Sequence, residues 1–378
     1  MAVEVGLVLA IPFVAAAGFR AVLNTTDGRA VDPELDPGEP GYEAFVEPTP
    51  TALLLGTDGP TLSWIAVAAL GGEGGQGGTL LLVPAGTRSV DPVGAGRTLA
   101  AVYAEDGLQA VEASTAAVLG TGVGEVVTVE PERLAALVEP VSPLNLANPD
   151  DLEGFEAGDL ALDGVGVVGY LAASDAGSSD LARLARHELL WRTWIDAVAA
   201  SSNPDAVPGE AATGVGRFVR GLAAGDSSIE VIPVDEEPDG TFVADPDAVA
   251  DFVEDRVPFP VSAFPGARPR VRVLDGVGAP GLAARVAREA VRAGGQVTVL
   301  GNADEFGAPT SAIVYYDPAL TASAQVLADA LGTGPPERRT GPNPDDLVDL
   351  TVVAGTDLAA AYGLEAAAGP TIAGDEAG

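Results

Sequence analysis

The run Asp180-Leu-Ala-Arg183-Leu-Ala-Arg186-His187 places two guanidinium groups and the chain's single imidazole within five residues. A guanidinium presents five donors in a rigid fork and grips phosphate or carboxylate oxygens two at a time. Arg183 and Arg186 stand three residues apart, with Asp180 one turn earlier. The same spacing suits a solvated intrahelical ion pair, so both readings stay open. His187, Trp191 and Trp194 follow at helical intervals, which ordinarily marks core or rim. Asp58 ends an apolar run at Gly56-Thr57-Asp58-Gly59, where capping a turn explains it as well as touching a ligand. Asp275, Asp304, Asp317 and Asp357 also stand near predicted strand ends, the usual place of turn chemistry.

Composition removes several chemistries. There is no Cys, so disulfides, thiolate metal sites and Cys nucleophiles are excluded. A single His excludes a His-rich metal site. The chain carries 55 acidic residues against 19 basic ones, a formal charge of -36, and every basic residue is Arg. Such a surface repels nucleic-acid phosphates, so DNA is not an expected partner. Aromatics make up 5% and hydrophobic residues 47%, which leaves Val, Leu, Ala and Ile to build the core. The Gly-rich stretch Gly71–Gly78 lacks the Lys-Ser/Thr ending of a P-loop and reads as a hairpin tip. Gly276-Val277-Gly278 has its third glycine misplaced for a dinucleotide fingerprint.

The elements that must position these residues alternate between strand and helix. Thr51–Leu55, Ser63–Leu70, Thr79–Val83 and Val126–Val129 read as strands; Arg97–Leu119 and Pro131–Val138 have helical spacing. Alternation of this kind predicts an α/β/α sandwich. Residues 1–23 contain the uncharged run Val5–Phe19, near the length of a membrane span or a signal core, and read as a signal anchor. Residues 24–50, with five Pro, read as a linker, and the Pro-rich stretch 258–269 as a second one. Beyond it come a strand at Arg270–Leu274, a helix at Pro280–Ala293 ended by Gly294-Gly295, and a strand at Gln296–Leu300. Ser311–Tyr316, Ala319–Leu331 and Leu350–Ala354 complete a β-α-β-β-α-β order, followed by an expected disordered tail at 359–378.

Two segments resemble a known family. LLLGTD (53–58), LLVPAGTR (81–88), RTLAAVYAEDG (97–107) and the Asp180–His187 helix resemble, in order and spacing, motifs of the LytR-CpsA-Psr (LCP) family. This resemblance spans 51–265. In residues 270–358, VRVLDG, GLA, RAGG, VTVLGNADEF, TSAIVYYDP and TVVAGTD closely resemble the LytR C-terminal domain. The resemblance implies an actinobacterial-type cell-envelope protein of two α/β domains. It also implies transfer of a polyprenyl-pyrophosphate-linked glycan to the cell wall, with Mg²⁺ and Arg neutralising the leaving phosphate.

Departures from the family pattern bear on that activity. No Arg or Asp stands at 60–63, Ala85-Gly86 replaces the catalytic-loop Arg-Asp, and Ala172 and Ser174 replace an arginine pair. Asp58, Arg88, Arg97, Asp180, Arg183 and Arg186 remain as residual ligand-binding positions. The expectation is a membrane-tethered, non-catalytic scaffold or regulator of wall-polymer attachment without a cofactor. Its partners would be wall polymer, other envelope proteins or a polyprenyl lipid. The alternative is an active phosphotransferase that uses Mg²⁺.

Overall fold

Apolar runs too short for helices and bounded by glycine turns become the strands of a sheet buried on both faces. The computed structural model describes residues 36–71, 75–91, 94, 96–173, 180–209 and 213–365. The expected signal anchor at 1–23 lies outside the described residues, as does the tail from 366. No helix among the described residues is long and apolar enough to cross a membrane. The chain divides into two units, one comprising 48–267 and the other comprising 1–47 together with 268–378.

The first strand, β1 (Glu43–Phe45), belongs to the second of these units. The larger unit starts with β2 (Thr51–Asp58), β3 (Thr61–Ala69) and β4 (Gly78–Val83). Helices α1 (Leu99–Asp106) and α2 (Leu108–Leu119), strand β5 (Glu125–Val129) and helix α3 (Pro131–Val138) follow. The expected single helix at 97–119 is broken because Gly107 adopts φ 83°, outside the helical region. Next come a hairpin, β6 (Leu144–Asn148) and β7 (Gly158–Leu162), then α4 (Gly164–Ala172), α5 (Asp180–Ala200) and α6 (Gly214–Ala223). Strand β8 (Ser227–Val231), the pair β9 (Asp235–Glu236) and β10 (Phe242–Val243), and α7 (Pro246–Glu254) close the unit.

The sheet order is β5-β2-β3-β4-β8. Strand β3 runs antiparallel to β2 and β4, while β5 and β8 pair in parallel at the edges. Alternate residues of the same strands feed two cores. Ala52, Leu54, Trp64, Ala66, Leu80 and Leu82 pack with α3 to α6 on one face. Leu53, Leu55, Ile65, Val67, Leu81 and Val83 pack with α1, α2 and α7 on the other. This is the predicted α/β/α sandwich, and burial of both faces explains why the strands read as unbroken apolar runs.

The second unit adds β11 (Arg270–Asp275), α8 (Leu282–Arg292), β12 (Gln296–Asn302), β13 (Ala312–Tyr315), α9 (Thr321–Leu331), β14 (Glu337–Arg338), β15 (Leu350–Ala354) and α10 (Thr356–Ala361). Its sheet order is β1-β12-β11-β15-β13-β14. Strands β11 and β12 are parallel across α8, as a crossover unit requires. The predicted β-α-β-β-α-β order is present with three additions, β1, β14 and α10. Residues 359–361, expected in a disordered tail, end α10.

The stretch 24–50 departs from the expected linker at its end. Glu43, Ala44 and Phe45 pair antiparallel with Gly301, Leu300 and Val299. Asn302 Nδ2 donates to the carbonyls of Pro37 (2.9 Å) and Glu39 (2.7 Å), and its N–H donates to Tyr42 O (2.7 Å). Three residues are too short to show a period, so composition spoke for loop while an open sheet edge supplied the partner. Gly301 is required for that approach: a Cβ there would stand 2.1 Å from the Tyr42 carbonyl oxygen and 2.9 Å from the Glu43 Cα. Gly301→Ala is therefore expected to push β1 off its edge. In chemical denaturation it should cost about 1–3 kcal/mol, as overpacking against backbone does. Hydrogen exchange at residues 43–45 should rise.

Candidate functional site

A cleft of about 70 Å³ opens among Gly56, Thr57, Ser63, Trp64, Val129, Pro131, Leu134, Leu171 and His187. Its back wall comes from one close contact. The Trp64 indole lies against Gly56, where a Cβ would meet Trp64 Nε1 at 1.9 Å. The β2–β3 register shifts between Gly56 and Thr57, and the missing side chain lets the ring cross there. Trp64 then meets α5: its ring centroid lies 5.8 Å from those of both His187 and Trp191, and Trp191 lies 5.2 Å from Trp194. Trp191, Trp194, Tyr170 and Phe218 are fully buried and fill the space between sheet and helices.

Of the residues singled out from the sequence, His187 lines this cleft and feels the charges of Arg183 and Arg186, whereas Asp58, Arg88 and Arg97 do not line it. Asp58 is exposed at the end of β2, before the Gly59 turn. Arg88 donates to Thr241 Oγ1 (3.0 Å), the Gly96 carbonyl (3.1 Å) and Asp239 Oδ2 (2.7 Å). Arg97 pairs with Glu105 (2.7 Å) and Asp106 (2.5 Å), which hold its charge firmly. Arg88 and Arg97 do meet on adjacent segments, since Arg88 pairs with Thr98 and Ser89 N–H donates to Arg97 O. Arg183 is half-buried on α5, and the side chain of Asp180 lies outside the described residues. Arg186 is 1% exposed and donates to the Ala173 carbonyl at 2.7 Å, so it is not the solvated surface cation that helical spacing suggested. Its Nε has no hydrogen-bond partner among the described residues.

A divalent cation needs several oxygen donors converging. Among the described residues no three acidic or His side chains converge on one point. Asp58 stands at an exposed turn, and Asp106 and Glu105 are engaged by Arg97. Among the described residues, the carboxylates at these positions do not converge into a donor set for Mg²⁺. Asp275 and Asp317 of the second unit do turn chemistry: Asp275 Oδ1 accepts from Val277 and Gly278 N–H, both at 2.8 Å. Asp317 caps at Ala319, and Asp357 accepts from Ser311.

His187 is the member that spacing alone did not single out as chemically unusual. It is fully buried, and burial followed by the nearby Arg183 and Arg186 charges lowers its pKa to about 3. The imidazole is therefore neutral across the physiological range and packs as an aromatic ring. The signal was present in its helical phase with Trp191 and Trp194. The contact with Trp64, 123 positions away in sequence, was not readable from that phase.

Residues 268–358 match the family model described as LytR cell envelope-related transcriptional attenuator. No curated protein matches the chain. Several solved structures are similar to a part of it. TagT of B. subtilis is 17% identical with a TM-score of 0.45, over 62% of this chain and 100% of its own. The LytR-Csp2A-Psr enzyme from Actinomyces oris is 17% identical with a TM-score of 0.44, over 57% and 93%. The LytR-CPS2A-psr family protein YwtF (TagT) with bound octaprenyl pyrophosphate lipid is 16% identical with a TM-score of 0.44, over 60% and 94%. These likenesses are distant; the sandwich is established by its own strand order and its two filled cores.

The buried imidazole gives a pH test. A folded pKa of about 3 against an ordinary 6.5 means that the unfolded chain binds the proton more readily between these values. Stability supplied by neutral His187 is complete above pH 6.5 and falls as pH drops towards 3. From pH 7 to pH 5 the loss attributable to this group should be about 2 kcal/mol. His187→Gln should lose that much less over the same interval, read as the difference in urea-unfolding free energy between the two proteins. Equal pH dependence in both would show that the imidazole is not held neutral by burial.

Proposed function

We propose that this chain is a membrane-tethered cell-envelope protein, with residues 1–23 as its anchor. In this reading it acts as a non-catalytic scaffold or regulator of wall-polymer attachment. The observation that carries the reading is the dispersal of its charged groups. Arg88 and Arg97 are tied to Asp239, Glu105 and Asp106 on the surface, while Arg186 is buried against a backbone carbonyl. Transfer from a lipid pyrophosphate needs cations positioned around the leaving phosphate before reaction. Here the positions that would supply them hold Ala85, Gly86 and Ala172. The aromatic filling of the sandwich supports the same reading, since Trp191 and Trp194 are packed into the core between sheet and helices.

Placement at the envelope is supported by the family of the C-terminal module and by the apolar run Val5–Phe19. Action on DNA fits poorly with a formal charge of -36. The second reading, a phosphotransferase attaching lipid-linked glycans, is favoured by the order of the LCP-like motifs and by the surviving Asp58.

The full chain, mixed with Mg²⁺ and a polyprenyl-pyrophosphate analogue, should release no more phosphate or glycan than a protein-free control. Release that disappears in Asp58→Ala would overturn the non-catalytic reading. A gel shift at low salt should show no retardation of duplex DNA.

A further inference from the structure

The second unit carries a cleft of about 310 Å³ that none of the preceding argument uses. Cross-strand register builds its floor. Leu274 faces Val353, and Arg272 faces Thr351, which in turn faces Val314. All five are half-buried. Their strand neighbours Val271, Val273, Ile313, Tyr315 and Val352 are fully buried on the opposite face. There the Tyr315 hydroxyl lies 3.2 Å from Thr321 Oγ1 on α9. The helices thus cover one face of this sheet, and the cleft occupies the other.

Of its lining charges, Glu43, Arg272, Asp345, Asp349 and Arg339 are already paired. Arg272 spans the cleft between Glu43 on β1 (3.5 Å) and Asp345 on the opposite wall. Arg270 grips Asp349 through two contacts, 2.8 and 3.1 Å. Asn343 Nδ2 fixes the wall loop by donating to Val348 O at 2.6 Å. At one end Tyr316 stands beside Arg339, whose backbone N–H donates to Tyr315 O at 2.8 Å.

We propose that this cleft binds a neutral sugar unit of a glycan; the proposal rests on the envelope reading only for where that glycan is found. An ionic ligand would have to break one of the existing pairs to be recognised. A sugar ring needs none broken. Its hydroxyls exchange hydrogen bonds with the outer edges of carboxylates and guanidinium groups held in fixed positions. Its C–H face lies on an aliphatic floor and against the Tyr316 ring. The volume sits at the small end of ligand pockets, fit for one or two rings. A polyanionic polymer is disfavoured by the overall charge of -36.

The experiment titrates the full chain with four probes by isothermal calorimetry: a neutral N-acetylhexosamine tetramer, its cationic de-N-acetylated form, oligolysine and polyphosphate. Saturable binding of the neutral tetramer is expected. Tyr316→Ala should weaken it about tenfold, the size of one lost aromatic contact with its burial. Thr351→Trp, which fills the floor, should abolish it. Tyr316 is at the rim, so its variant keeps the test valid even if Thr351→Trp fails to fold. No saturation by the neutral tetramer, or binding unchanged in Tyr316→Ala, overturns the proposal. Saturation by oligolysine or the cationic tetramer alone also overturns it, by assigning the cleft to a basic ligand. A failed titration leaves the non-catalytic reading intact, because that reading stands on turnover of a lipid pyrophosphate.

Discussion

Glycine at position 301 is the constraint on which the second unit depends. Strand β1 passes so close to it that any side chain would collide with the Tyr42 carbonyl. That approach lets residues 36–45 join a sheet whose other strands all come after residue 269. Asn302 then secures the incoming chain at Pro37, Glu39 and Tyr42. The chain therefore begins one unit, builds the other from 48 to 267, and returns to finish the first. Glu43 arrives on this strand and becomes one wall of the sugar-sized cleft, held to Arg272. Fold closure and the candidate binding surface share a single backbone contact.

A second glycine does comparable work in the sandwich. Gly56 lets Trp64 cross β2, and Trp64 is then the ring against which His187 and Trp191 pack. Together these residues turn the interior between sheet and α5 into an aromatic core. The electrostatics follow from the packing. His187 is neutral because it is buried beside two cations, and Arg186 is buried with one of its donors on a backbone carbonyl. A group used in this way is poorly placed to meet an incoming phosphate.

Much of the architecture was legible along the chain. The βαβ order after residue 270 could be read because each strand alternates, each helix keeps its phase, and glycines close the turns, as at Gly294 and Gly332. The strands of the sandwich were visible as apolar runs, although runs buried on both faces carry no alternation to say which residue meets which core. Three elements escaped reading for local reasons. Strand β1 has too few residues to show a period. Gly107 splits what spacing alone presents as one helix, and the helical spacing of Arg186 gave no sign that it would be buried.

The candidate sites divide along the same physical line. From residue types alone came the exclusion of Cys and His-rich metal chemistry and the mismatch with nucleic acid. Those conclusions depend on which side chains exist, and composition settles that. Which side chains meet was decided by tertiary structure. Trp64 and His187 are joined across 123 positions; Glu43, Arg272 and Asp345 are joined across three segments. No local pattern encodes such pairings, because they arise from strand register and from how closely two backbones can approach, as at Gly56 and Gly301.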